Sequence, residues 1–145
     1  MNLKSLILPK SDRPAKPIDY DKANGVSFDL IYLPRNEMQQ IVSRHTKIKF
    51  NPKTHQKDEE VDGEGLRNEV IDLTVKGWKG VSYKWVNNLI PLDIKTIDDI
   101  NAELPFTTEN RNVLFTQAYG LDSWLLDTVK DAAYFNEKKE AETKN

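Results

Sequence analysis

The chain contains no cysteine, only two histidines and only two methionines in 145 residues. Without cysteine there is no disulfide, no thiol nucleophile and no thiolate metal site, a composition that suits a reducing cytosol. No segment approaches the roughly 20 consecutive apolar residues that a membrane-spanning helix needs. The opening MNLKSLILPK has a short apolar patch stopped by Pro9, and it lacks the long apolar region and small-residue cleavage site of a signal peptide. An excess of basic charge is missing too. Lysine and arginine total 21 against 23 acids, for a net charge of -2, and the lysines are scattered among the acids. That balance argues against a nucleic-acid partner, although Lys76, Lys79 and Lys84 beside neighbouring tryptophans outline a rival stacking patch.

Recognisable catalytic constellations are equally scarce. Asp62-Gly63-Glu64-Gly65 has two glycines, but its acids repel phosphate. The acids from Asp58 to Glu64 lack the spacing of a calcium-binding EF-hand loop. His45 falls on a helical stripe, while His55 sits in a polar stretch with no second histidine or positioned carboxylate, so neither suggests a metal site. Asp98-Asp99 reads as a solvated pair or a helix cap. The expectation is a protein without catalysis, cofactor or metal.

Composition and length fit one domain with a real core: 38% of residues are hydrophobic and 30% charged. Residues 1–25, with Pro9, Pro14 and Pro17, read as an irregular N-terminal segment ending in an Asn24-Gly25 turn. Val26 to Tyr32 alternates as a strand with Phe28 and Leu30 on one face. Pro34 suits the first turn of a helix carrying Met38, Ile41, Val42 and His45 on one stripe. Lys47 to Phe50 reads as a short strand followed by a mobile polar loop.

Asp58-Glu59-Glu60 reads as the acidic lead into a long helix, which the spacing of Ile71, Val75 and Trp78 extends to KGWKGV. There Trp78 is expected to be a core residue, with Gly80 as the left-handed cap ending the helix. Tyr83, Trp85 and Val86 suggest a short strand or aromatic flap. Within LPFTTEN a threonine caps a helix whose stripe is Arg111, Leu114, Phe115 and Ala118. Gly120 then joins it to a second helix, with Asp122 as the expected cap and Leu121, Leu125, Thr128, Val129, Ala132 and Phe135 on the buried face. The fold class expected is α+β: a mostly helical single domain over 26–136, with a small N-terminal antiparallel β element and a C-terminal helical pair. Residues 137–145 are expected to form a charged flexible tail.

Taken in order, the strand, the helix around Glu37-Met38-Gln39-Gln40-Ile41, Gly77-Trp78-Lys79-Gly80-Val81, Leu104-Pro105-Phe106-Thr107-Thr108-Glu109-Asn110 and the ending Ala132-Ala133-Tyr134-Phe135-Asn136 form a pattern. It resembles the small tail assembly chaperones of long-tailed bacteriophages and prophages. The family passes from the GW motif to the LP motif by a brief turn, whereas residues 82–103 intervene here. The resemblance implies a non-catalytic protein of the host cytoplasm, absent from the mature virion. Its partners would be the tape measure protein, which it coats, and the major tail (tube) protein, which displaces it. It also implies a frameshift-extended form of the same chain, for which Glu137-Lys138-Lys139 is compatible with a slippery adenine run. The client surface expected on this basis comprises Tyr83, Trp85, Phe106 and Trp124. The alternative is another tail structural part, a completion or head–tail connector protein, which would assemble as a ring.

Overall fold

Alternating apolar side chains from Val26 onward call for a strand buried on at least one face, and the structure, a computed structural model describing residues 1–136, places one there. Strand β1 (Lys16–Asp21) and strand β2 (Val26–Leu30) form an antiparallel pair in which Ile18 faces Phe28. β2 is the central strand, and β5 (Val75–Lys79) completes the order β1-β2-β5 with Phe28 opposite Trp78. The segment expected to be irregular therefore contributes an edge strand. Pro17 fits there because an edge position spares it a ladder hydrogen bond.

Among the described residues, six named helices and shorter turns accompany this sheet. They begin with α1 (Leu3–Leu6) and α2 (Arg35–Arg44), which follows Pro34 as expected. A separate hairpin, β3 (Thr46–Asn51) with β4 (Gln56–Val61), joins α2 to α3 (Gly63–Thr74). Asp58, Glu59 and Glu60 thus lie in a strand instead of leading a helix, and the polar loop expected after Phe50 is a tight reversal between paired strands. Capping of α3 starts only at Asp62, whose side chain accepts from the Gly65 N–H.

The largest departure from expectation concerns KGWKGV. Spacing 71–75–78 satisfies a helical stripe, yet α3 stops at Thr74 and the chain continues as β5. The Thr74 hydroxyl turns back on the Val70 carbonyl at 2.6 Å, while the Thr74 carbonyl accepts from Ile31 N–H at 3.0 Å. Val75, β-branched, and Trp78 fit a pleated surface, and pairing with β2 outweighs one more helical turn. Gly80 is left-handed as expected, with φ +80°, but it ends a strand, and the carbonyl of Gly25 lies against it.

Beyond Val81 come α4 (Tyr83–Asn87), α5 (Thr108–Gln117) and α6 (Leu121–Val129), with a further helical turn over 132–136. The expected strand or flap around Trp85 is thus α4, started by Ser82, whose hydroxyl accepts from the Trp85 N–H. Thr107 caps α5 through the Asn110 N–H, and Arg111, Leu114, Phe115 and Ala118 are all buried. Arg111 is tolerated on that stripe because its guanidinium reaches Asp72 at 2.9 Å. Gly120, not Asp122, occupies the cap position of α6; Asp122 sits inside the first turn, where its charge suits the helix dipole. Leu121, Leu125, Thr128, Val129 and Phe135 are buried, while Ala132 is exposed.

The fold is α+β, a single domain with most of its small antiparallel sheet drawn from the N-terminal half. The expected charged tail, 137–145, lies outside the described residues.

Phe28 occupies the middle of the core. Its ring lies 5.0 Å from Phe115, 5.8 Å from Trp124 and 6.3 Å from Trp78, mostly edge to face. Tyr20 extends the group to Trp85 at 6.0 Å and to Trp124 at 4.9 Å. All three tryptophans therefore belong to one aromatic cluster. Such pairs add about 0.5–1.5 kcal/mol each beyond the area they bury.

Candidate functional site

The two segments that carry the family resemblance meet in space. Trp78 on β5 donates its indole N–H to the Leu104 carbonyl at 2.9 Å and stands edge-on to Phe106 at 4.7 Å. Leu104 N–H in turn donates to the Val81 carbonyl at 2.7 Å. Residues 82–103 consequently leave and rejoin the body at one point, where the single bridge Ser82–Glu103 closes their base. Further bonds from Tyr83 N–H to Ala102 and from Lys84 N–H to Ile100 continue the closure, and Glu103 accepts from Gly80 N–H at 2.9 Å.

This closed excursion builds one wall of an apolar groove, and α5 builds the other. Tyr83, Val86, Ile90, Leu92 and Ile97 face Val113 and Leu114 across a cavity of about 300 Å³. Val113 is half exposed, and Tyr83, Ile90, Leu92 and Ile97 are only partly covered, so the groove opens to solvent. Among the described residues, its ionisable linings besides Tyr83 are Asp93 and Glu109, both acidic. Apolar walls with an acidic rim suit an amphipathic segment bearing lysine or arginine beside its apolar stripe. Ile90 and Leu92 stay in place because the Asn87 side chain accepts from the Leu92 N–H at 2.9 Å, folding the strand-breaking Pro91 into a turn.

The expected client residues divide accordingly. Tyr83 lines the groove. Phe106 is 37% exposed and leans on Trp78 just beyond it. Trp124 is half-buried against Tyr20 and Phe28. Trp85 is only 7% exposed and donates its indole N–H to Asp21 at 3.0 Å, so it is a core residue of the β1 side and no client contact. The hydrogen bond from the Asn24 side chain, and after it that indole bond, hold the Asp21 carboxyl below its ordinary range. Among the structural residues, Trp78 is buried as expected, and both Gly80 and Gly120 adopt positive φ.

Sequence reasoning missed Val113, Ile90 and Leu92. For Val113 a signal existed: it stands off the buried stripe of α5, a lone apolar residue next to Glu109 and Asn110 one turn earlier. Ile90 and Leu92 flank a proline and offer no periodicity to read.

Elsewhere, ionisable groups serve the frame. Glu69 on α3 is gripped by Arg44 and by His45 Nε2 at 2.9 Å; the Arg44 bond above all holds its carboxyl below the usual glutamate range. Buried Glu37 accepts from Arg13 at 2.5 Å, tying the N-terminal segment to α2. Among the described residues, no group of three or more His, Asp or Glu is placed to hold a metal ion, and no helix is long and apolar enough to cross a membrane. Comparison with protein-family models, with curated proteins and with solved structures finds no match for the chain.

Proposed function

We propose that this protein is a tail assembly chaperone, holding an amphipathic helical segment of a tape measure protein in the groove between residues 83–97 and α5 until tail tube subunits displace it. The observation that carries this reading is the groove itself: apolar on both walls, open to solvent, and rimmed by Asp93 and Glu109. A helical client presents anchors at i, i+3, i+4 and i+7. A partly covered apolar strip gives such anchors a modest affinity, which reversible release requires. The pairing of the GW and LP motifs through Trp78, Leu104 and Phe106 supports the resemblance, because it brings two segments distant in sequence together. The intervening residues 82–103 then add a wall without separating the motifs. On this reading the protein works in the host cytoplasm, and a frameshifted longer form would recruit the tube protein.

The test is co-expression with overlapping helical fragments of a tape measure protein encoded beside this chain. Val113→Asp places a third acid on the rim and inside the apolar strip, and it should abolish retention of the fragment while the variant keeps its helical circular dichroism. Retention unchanged by Val113→Asp and by Tyr83→Ala would remove the groove from consideration.

A further inference from the structure

The β3–β4 hairpin is not part of the three-stranded sheet, and both of its strands are edges. Its base is anchored where Asp62 N–H donates to the His45 carbonyl at 2.7 Å and the Thr46 hydroxyl donates to the Val42 carbonyl at 2.6 Å. Residues 47–50 and 52–61 are all exposed, including Ile48 at 64% and Phe50 at 62%. A two-stranded ribbon of this kind is marginal in water on its own, and unpaired edges invite further strands.

Its two edges differ in sign. The register sets Lys47 opposite Glu60 and Lys49 opposite Asp58, and these four alternate onto one face of the ribbon. Lys49 also reaches diagonally to Glu60 at 2.5 Å. Ile48 and Phe50 lie on the opposite face with Val61. The β3 edge is therefore basic on its charged face, and the β4 edge is acidic.

We propose that the hairpin is a self-association surface, in which the β3 edge of one copy adds to the β4 edge of a second copy. Antiparallel addition in the hairpin's own register repeats the pattern: Lys47 and Lys49 of one copy stand opposite Glu60 and Asp58 of the next. Every acidic row is then flanked by two basic rows. The two-fold alternatives, β3 on β3 or β4 on β4, set lysine against lysine or acid against acid, which is destabilising between directly opposed residues. Edge lysines commonly keep strands apart; here the same lysines exclude like edges and admit the unlike one. Pairing unlike edges is head-to-tail, so each copy keeps one edge for the next and copies form a row or a ring. Self-association through the hairpin does not depend on what fills the groove.

The experiment compares the natural chain with a full charge exchange, Lys47→Glu, Lys49→Glu, Asp58→Lys and Glu60→Lys. Each protein also carries Tyr119→Cys, which gives one dye position on a 98% exposed side chain in a chain with no other cysteine. The natural chain should associate with itself as concentration rises, in sedimentation and in energy transfer between labelled copies, and so should the exchanged chain. In a mixture each junction between unlike copies sets like charges against each other, and co-assembly should fall about tenfold with both opposed pairs of that junction turned from attractive to repulsive. Equal or stronger transfer in the mixture would overturn the proposal, stronger transfer pointing to like-edge pairing. A natural chain that stays monomeric to millimolar concentration would overturn it as well. Should the exchanged chain fail to fold, hydrogen exchange on the natural chain decides: slowing confined to amides of 46–61 at high concentration supports the contact, and its absence refutes it.

Discussion

Replacing Gly80 with alanine adds one methyl group to a backbone fixed at φ +80°, at the point where β5 leaves the sheet. Two costs follow. The left-handed conformation penalises any L side chain by about 1–2 kcal/mol. In addition, the new Cβ would lie 2.2 Å from the Gly25 carbonyl oxygen and 2.8 Å from its carbon. Those neighbours are backbone and belong to the turn between β1 and β2, so relief requires shifting one strand against another. Forced overpacking of this kind costs about 1–3 kcal/mol.

Gly120 supplies the control, because its φ is +79° and nothing lies within 4 Å of an added Cβ. Gly120→Ala therefore meets the conformational penalty alone, and subtracting it from Gly80→Ala cancels that term. The remaining difference should be about 1–3 kcal/mol. With a urea slope of about 1–3 kcal/mol per molar for a small protein, the midpoint for Gly80→Ala should fall about 1 M below that for Gly120→Ala. Tryptophan fluorescence reports the transition directly, since all three indoles sit in or against the core. Coincident midpoints for the two variants would refute the claim that strand packing at Gly25 makes Gly80 obligatory.

Trp85→Ala should destabilise the domain by about 3–5 kcal/mol, the range for emptying a buried aromatic site; chemical denaturation measures it, and a loss below 1 kcal/mol would place Trp85 outside the core. Trp85→Phe keeps much of the ring volume but strips Asp21 of its indole donor, so it should be milder than the alanine change and should raise the Asp21 carboxyl toward its ordinary value, as seen by carboxyl NMR titration. Glu69, whose folded-state pKa lies below the ordinary value of about 4.5, adds stability that is complete above that value and is lost as pH falls through the lowered one. Glu69→Gln should therefore lower the urea midpoint at pH 7, and by progressively less as the pH falls through the lowered carboxyl pKa; a loss that does not shrink on acidification would show that the Arg44 and His45 contacts carry no charge-dependent stability.

Much of the architecture was legible where one period dominated. The α5 stripe is one such case, since its four positions at 111, 114, 115 and 118 fall on one face and Thr107 announces the start. Val26 to Leu30 is another, because alternation over five residues leaves a strand as the natural reading. The misreading at 75–79 arose where two periods coincide: Val75 and Trp78 satisfy a helical stripe and also sit inward in β5, and only pairing with β2, far away in sequence, decides between them. Asp58 to Glu60 misled for a related reason. Acids favour a helix start, but here each has a cross-strand partner that local composition does not reveal. β1 was hidden by Pro17 and the prolines before it; a proline excludes a central strand and says nothing against an edge. Tyr83 lines the groove, whereas Trp85, two residues on, points to the other side of a single helical turn and joins Tyr20. One turn of helix thus separates a wall residue from a core residue, and a strand reading of that segment could not make the distinction.

The excursion spanning 82–103 begins and ends beside one hydrogen bond, between Val81 and Leu104. In topological terms it is a cassette, since a short peptide spliced across its neck would restore the path from sheet to helix. Energetically it is no mere appendage, because it plugs Trp85 and Val86 into the interior. Shortened versions of this chain would need compensating bulk on the Tyr20 side, whereas lengthening the far end near Ile94, which is exposed, leaves those plugs undisturbed. The far end is thus the place where this scaffold has room to vary, and grafted sequence there would remodel one bank of the groove without touching the sheet.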